Sequence, residues 1–226
     1  MTEILFKNKN AVIIYKPAGI PSQPDTSGDP DALTLTAKAL SDVGESNTLF
    51  LVHRLDRVVS GIMIFARNKA SAAELSSMVS DSGIGKEYFA VVDGTGEGGT
   101  LMDYLVKNTA AGKANVVKAG KSGAKLATLE YKTLSVSNTE RGVRSLVRVK
   151  LHTGRFHQIR AQLSNIGLPI TGDKKYGSKD SRTRYIALCS CRLDLDLLGD
   201  HISVDVLPDV SVYPWNLFSE NDYKKA

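Results

Sequence analysis

Residues 125–136 and 143–151 alternate apolar and polar side chains and are joined by the polar run 137–142. Alternation with period two places every second side chain on one face, so these segments predict a long antiparallel hairpin with one buried side. The other apolar runs are short. Residues 4–6 and 11–15 read as strands about a turn at 7–10, and 49–52, 62–66, 87–92, 185–195 and 201–206 read as further strands. Helical spacing is confined to three places. Asp31 can cap a helix over 32–40 with Leu33, Ala37 and Leu40 on one face, and Asn68 can cap one reaching about Ser80. Phe156, Ile159, Leu163 and Ile166 share a face over 155–166, and Gly167 ends that helix. A strand-rich chain without strict βαβ alternation is α+β, with a mixed or mainly antiparallel sheet and flanking helices. The glycine-rich residues 93–100 and the lysine-rich residues 107–125 read as loops, the first flexible and the second either a solvated loop, the favoured reading, or an extra basic flap that lies on a polyanionic partner. The first lacks the Gly-Lys-Ser/Thr ending of a phosphate-binding loop.

The chain of 226 residues is 42% hydrophobic, enough to bury roughly 70% of its unfolded surface. Lys plus Arg exceed Asp plus Glu by 29 − 24 = 5, and the sequence pI of about 9.1 favours a polyanionic partner. Cys189 and Cys191 lie two apart on a predicted strand, poorly placed for a disulfide and too few for a cysteine-rich zinc site. They read as reduced core thiols of a cytoplasmic protein. Residues 1–10 contain no apolar signal core, and no run approaches about 18 apolar residues, which argues against secretion and membrane insertion.

Two clusters carry chemistry. In His53-Arg54-Leu55-Asp56-Arg57-Val58-Val59-Ser60-Gly61 a single carboxylate stands between two guanidinium groups, just before an apolar strand. Opposite charge on both sides favours the ionised, nucleophilic form of Asp56. The second, Leu151-His152-Thr153-Gly154-Arg155-Phe156-His157-Gln158-Ile159-Arg160, adds two arginines, two histidines and an amide, a donor-rich surface suited to an anionic ligand that bears a base.

The first cluster resembles the signature of the RluA-type pseudouridine synthases, and Thr153 to Arg160 is similar to a second block of that family. Lys16-Pro17-Ala18-Gly19, Lys86-Glu87-Tyr88 and Gly172-Asp173-Lys174-Lys175-Tyr176-Gly177 agree with three more, in family order. Val59 departs from the pattern, standing where the family usually has Thr. The resemblance implies the pseudouridine synthase fold with an RNA cleft across the sheet, as one catalytic domain over 1–226 with no appended N-terminal RNA-binding domain. It implies isomerisation of selected uridines in structured RNA, ribosomal or transfer, with no cofactor and no metal. Asp56 is then the essential carboxylate, Arg155 its partner, and Tyr88 the ring that stacks on uracil and takes the proton from carbon 5. Arg54 is a natural wedge for the gap left by an extruded base, against a plain salt bridge. Lys16, Arg160, Lys174 and Lys175 read as phosphate contacts. His157 and Gln158 either read base edges or cap backbone groups. A monomer is expected.

Two rivals belong to other classes. A non-catalytic RNA-binding or folding factor would retain the cleft, but the presence of Asp56, Tyr88 and Arg155 together argues against it. A carboxylate-using glycosidase or nucleosidase leaves the basic surface unexplained.

Overall fold

The alternating segments pair as predicted, although their hairpin is tighter than the polar run suggests. Strand β8 (Lys125–Thr139) runs antiparallel to β9 (Gly142–Leu151), with Thr139 opposite Gly142. Only Glu140 and Arg141 are left to turn the chain, and the Thr139 hydroxyl donates to the Gly142 carbonyl at 2.6 Å. The computed structural model describes residues 2–80 and 83–225. Its remaining strands are β1 (Glu3–Lys7), β2 (Ala11–Lys16), β3 (Phe50–Leu51), β4 (Ser60–Ala66), β5 (Gly85–Asp93), β6 (Gly98–Asn108), β7 (Lys113–Val117), β10 (Leu188–Leu197) and β11 (Asp200–Asp205). The helices are α1 (Ala32–Asp42), α2 (Lys69–Ser80), α3 (Gln158–Asn165) and α4 (Glu220–Tyr223), with 3-10 turns at Lys174–Tyr176 and Trp215–Leu217. Among the described residues no helix is long and apolar enough to cross a membrane.

The chain forms two compact units, Met1–Lys86 with Cys189–Val206, and Glu87–Leu188 with Leu207–Ala226. In the first, the strand order is β1-β2-β4-β10, with β3 beside β4 and β11 beside β10. The β4–β10 pair is parallel, and β1–β2, β2–β4, β3–β4 and β10–β11 are antiparallel. Ala11 and Ile13 of β2 and Ile62, Ile64 and Ala66 of β4 follow the two-residue period onto one face, where they meet Leu75 of α2 and Leu193 and Leu195 of β10. Asn68 caps α2 by accepting from the Ser71 N–H at 2.9 Å, and Asp31 caps α1 by accepting from the Thr34 N–H at 3.0 Å. The face α1 buries is Ala32, Thr36 and Leu40, one position around from the predicted Leu33 and Ala37. The buried Thr36 hydroxyl is satisfied by the Ala32 carbonyl at 2.7 Å.

The second unit orders its strands β5-β9-β8-β6-β7. Two predicted loops are corrected here. The flexible loop at 93–100 is already strand from Gly98, where a Cβ would meet the Tyr131 carbonyl at 2.8 Å. The glycine therefore permits close strand approach. The solvated loop at 107–125 contains β7, which pairs antiparallel with β6 from Asn108↔Lys113 to Tyr104↔Val117. The predicted helix over 155–166 starts only at Gln158, because His157 is left-handed at φ 52°.

Candidate active site

Asp56 sits half-buried in the first unit, in a turn closed by the Val59 N–H donating to its carbonyl at 3.0 Å. The strand after it is fixed at Gly61, where a Cβ would lie 2.2 Å from the Ser190 carbonyl oxygen of β10. Only glycine allows that approach, and φ there is +114°. The residue before Asp56 is clamped: the Ser22 hydroxyl donates to the Leu55 carbonyl at 2.7 Å and accepts from the Leu55 N–H at 3.1 Å. The Gly19 N–H donates to the Arg57 carbonyl at 2.7 Å. The Arg57 guanidinium reaches the same segment, donating to the Gly19 carbonyl at 3.0 Å and the Ser27 hydroxyl at 3.2 Å and pairing with Asp29. The Lys16-Pro17-Ala18-Gly19 block is thus the brace of the Asp56 turn.

Lys16 corrects the sequence reading. It is fully buried, so it is no phosphate contact. Its ammonium donates to the carbonyls of Ile20 at 2.9 Å and Pro17 at 3.1 Å, with the Arg57 carbonyl at 3.5 Å. Burial pulls its pKa down to about 8, against the pull of the Asp56 charge, which favours the ammonium. The fold therefore keeps an internal cation within electrostatic reach of Asp56. His53 accepts from the Ile64 N–H through Nε2 at 3.0 Å, which puts its ring proton on Nδ1. Burial, reinforced by the Lys86 charge, pushes its pKa down to about 3. Arg54 is exposed and makes no ion pair among the described residues, and Val59 is buried, with 3% of its surface exposed.

In the second unit the Thr153–Arg160 segment is tied to β8. Gln158 donates to the Thr128 carbonyl at 3.1 Å and accepts from the Thr153 hydroxyl at 2.8 Å and the Arg155 N–H at 3.0 Å. Its amide is spent on the loop, which corrects the base-reading expectation in favour of capping. Arg155 is exposed, and its Nε donates to the Leu126 carbonyl at 3.0 Å.

Arg160 is also corrected from phosphate contact to internal ion pair. It is 5% exposed and binds Asp173 through two bonds, Nε to Oδ2 at 2.7 Å and an Nη to Oδ1 at 3.0 Å. Its other Nη faces His157 Nε2 at 2.9 Å. A guanidinium only donates, so His157 Nε2 accepts and Nδ1–H donates to the Tyr176 hydroxyl at 3.0 Å. That hydroxyl in turn accepts from the Ala114 N–H at 2.7 Å. Both ring nitrogens of the half-buried His157 are engaged within the fold, and its ring is stacked on Phe156 with centroids 3.9 Å apart. Asp173, Tyr176, Ser22 and Thr128 are the positioning residues that the sequence reading leaves without a role. The first two stand inside a motif block, but their partners lie far off in sequence. Lys174 and Lys175 are exposed, as a phosphate contact requires. Tyr88 is a buried residue of β5, 7% exposed.

Comparison with known proteins gives these two loops a common context. Residues 10–165 match the RNA pseudouridylate synthase family. The chain belongs to that family. An uncharacterised RNA pseudouridine synthase of Haemophilus influenzae is 30% identical over 207 residues, 91% of this chain and 87% of that protein. One of Bacillus subtilis is 33% identical over 178 residues, 77% of this chain and 57% of the relative, so the chain spans little more than half of that protein. The ribosomal large subunit pseudouridine synthase D of Pseudomonas aeruginosa is 31% identical over 78% of this chain and 54% of its own length. Among solved structures, human RNA pseudouridylate synthase domain containing 4 superposes with a TM-score of 0.75 at 21% identity, over 99% of this chain and 92% of that one. This pseudouridylate synthase fold is the mixed, mainly antiparallel α+β architecture that the strand pattern predicts.

Proposed function

We propose that the protein is an RNA pseudouridine synthase, an isomerase acting on selected uridines of structured RNA. The observation that carries the reading is the Asp56 turn: a half-buried carboxylate braced by Ser22, Gly19 and the internal cation Lys16, within the stretch that matches the family. In the reaction the bond from ribose carbon 1′ to uracil nitrogen 1 breaks and a bond from carbon 1′ to carbon 5 forms. Carbon 5 then loses its proton, nitrogen 1 carries one, and the mass is unchanged. Asp56 attacks the ribose or assists the departing uracil anion. Arg155 holds the charge and orientation of that carboxylate, as a planar fork of donors suits. Tyr88 stacks on the base and accepts the carbon 5 proton, and Arg54 fills the gap in the RNA. Ribosomal RNA is the favoured substrate, since the Pseudomonas aeruginosa relative is named for the large ribosomal subunit. The reading places the protein in the cytoplasm as a monomer.

Asp56→Asn tests it, because the amide keeps the carboxylate's shape and removes its charge. The variant should fold by circular dichroism, bind RNA as the wild type does, and yield no pseudouridine. Turnover above a few per cent of wild type removes Asp56 from the chemistry. RNA binding by the wild type with no pseudouridine formed would favour the folding-factor reading instead.

A further inference from the structure

The second unit holds a cleft of about 710 Å³ between β7, α3 and the Lys174–Tyr176 turn, within the size range of ligand clefts. Lys113, Lys121, Lys174 and Lys175 stand on its walls, and no carboxylate lines it among the described residues. Four like charges around one opening repel one another, and a polyanion relieves that repulsion. One wall is fixed, because Lys175 Nζ donates to the Gly112 carbonyl at 3.0 Å and so pins the turn between β6 and β7. The floor is fixed as well, by the bond from the Ala114 N–H to the Tyr176 hydroxyl. Lys121 and Lys174 remain exposed at the rim, while Asn115 and Asn165 add neutral polar groups and Val116 and Ala161 an apolar base. Cations at the rim over small apolar residues suit a repeating phosphodiester with its sugars.

We propose that this cleft is a second RNA-binding site, which grips the sugar–phosphate backbone of the substrate away from the uridine that reacts. It rests on the reading of the chain as an enzyme of RNA. Helix α3 links the cleft to the Thr153–Arg160 segment: Gln158 locks that segment at the helix start, and Asn165 reaches the cleft at its end. Eight helical residues span about 12 Å at 1.5 Å each, so one strand of RNA can engage both ends of the helix. A site of this kind reads no sequence. It adds affinity and register.

The test uses a fluorescein-labelled single-stranded RNA oligonucleotide and the full chain, with anisotropy read between about 50 and 200 mM salt. Replacing two cations, Lys113→Gln with Lys121→Gln, should make the plot of log affinity against log salt shallower by about 1.4, at roughly 0.7 for each phosphate no longer engaged. Affinity at low salt should fall about tenfold. The paired change to Arg should restore both, and circular dichroism checks that each variant folds. An unchanged slope overturns the site. So does polyglutamate that competes through the cleft while the RNA slope stays the same, which would assign the surface to an acidic protein. These measurements need no turnover. Failure of the wild type to form pseudouridine would remove the synthase reading without touching the binding result.

Discussion

Lys16 shows why charge alone misreads a motif. In sequence it is a lysine beside a proline-glycine turn in a basic protein, and a phosphate contact is the natural assignment. In the fold its ammonium is enclosed among main-chain carbonyls and faces Asp56 electrostatically. The two readings predict opposite kinetics. Lys16→Met keeps the length of the side chain and removes the donors, leaving buried carbonyls unpaired at about 1–3 kcal/mol each. The brace under the Asp56 turn loosens, so kcat should fall on the order of a hundredfold, the effect of a misplaced reacting group. The Kd for RNA should stay near wild type. A variant that turns over bound RNA normally but binds it weakly would return Lys16 to the phosphate contacts.

At the scale of elements, strand and helix positions were legible because period and caps are local: β2, β4, α2 and the β8–β9 hairpin lie within a few residues of their predicted bounds. Side-chain roles within α3 were not. Gln158, Arg160 and Gln162 are polar yet buried, and their donors find partners outside the helix in Thr128, Asp173 and Asp103, while the Gln162 side-chain oxygen has no hydrogen-bond partner among the described residues. Periodicity reports which side of a helix is apolar, and a helix buried on its polar side as well carries no such signal. Asp173→Asn tests the assignment of Arg160. It leaves a guanidinium buried without its counter-charge, which costs about 3 kcal/mol or more. Urea unfolding should register that loss, and a change under about 1 kcal/mol would mean that Arg160 is solvated after all.

His53 joins two elements by a different device, since its ring continues the pairing of β3 with β4 by accepting from Ile64 after the main-chain ladder has ended. The native state resists protonation of this ring down to about pH 3, whereas the unfolded chain takes up the proton near 6.5. Its stabilisation is therefore complete above about pH 6.5 and is lost as pH falls from there toward 3. Between pH 7 and pH 5 the loss reaches at most about 2 kcal/mol. Few carboxylates titrate in that range. His53→Gln offers an amide acceptor that does not titrate, so its urea midpoint should move less between the two pH values than that of the wild type. Equal movement would show that His53 takes up a proton as readily folded as unfolded.

For the whole molecule, composition points to a polyanionic partner and is a poor guide to contacts. The excess of five positive charges is real, but Lys16, Arg144 and Arg160 are buried. The buried cations do not displace counterions from RNA, and the salt dependence should reveal this. The exposed Arg54, Lys121 and Lys174 and the half-buried Lys113 are the candidates on the two units, the exposed Lys175 being held by the Gly112 carbonyl, and four phosphate contacts give a slope of log affinity against log salt of about −3 for single strands. Counting the motif cations from sequence alone, Lys16 and Arg160 included, gives about −3.5 for five contacts on the same single strand. The division into two units was equally hidden, because each is assembled from segments far apart in the chain and no linker marks a boundary. Titration of wild-type protein with labelled RNA separates the two counts. A slope near −3 that becomes shallower by about 1.4 in the Lys113→Gln, Lys121→Gln variant supports the surface assignment, whereas a steeper slope that the variant leaves intact places the main contacts on other cations.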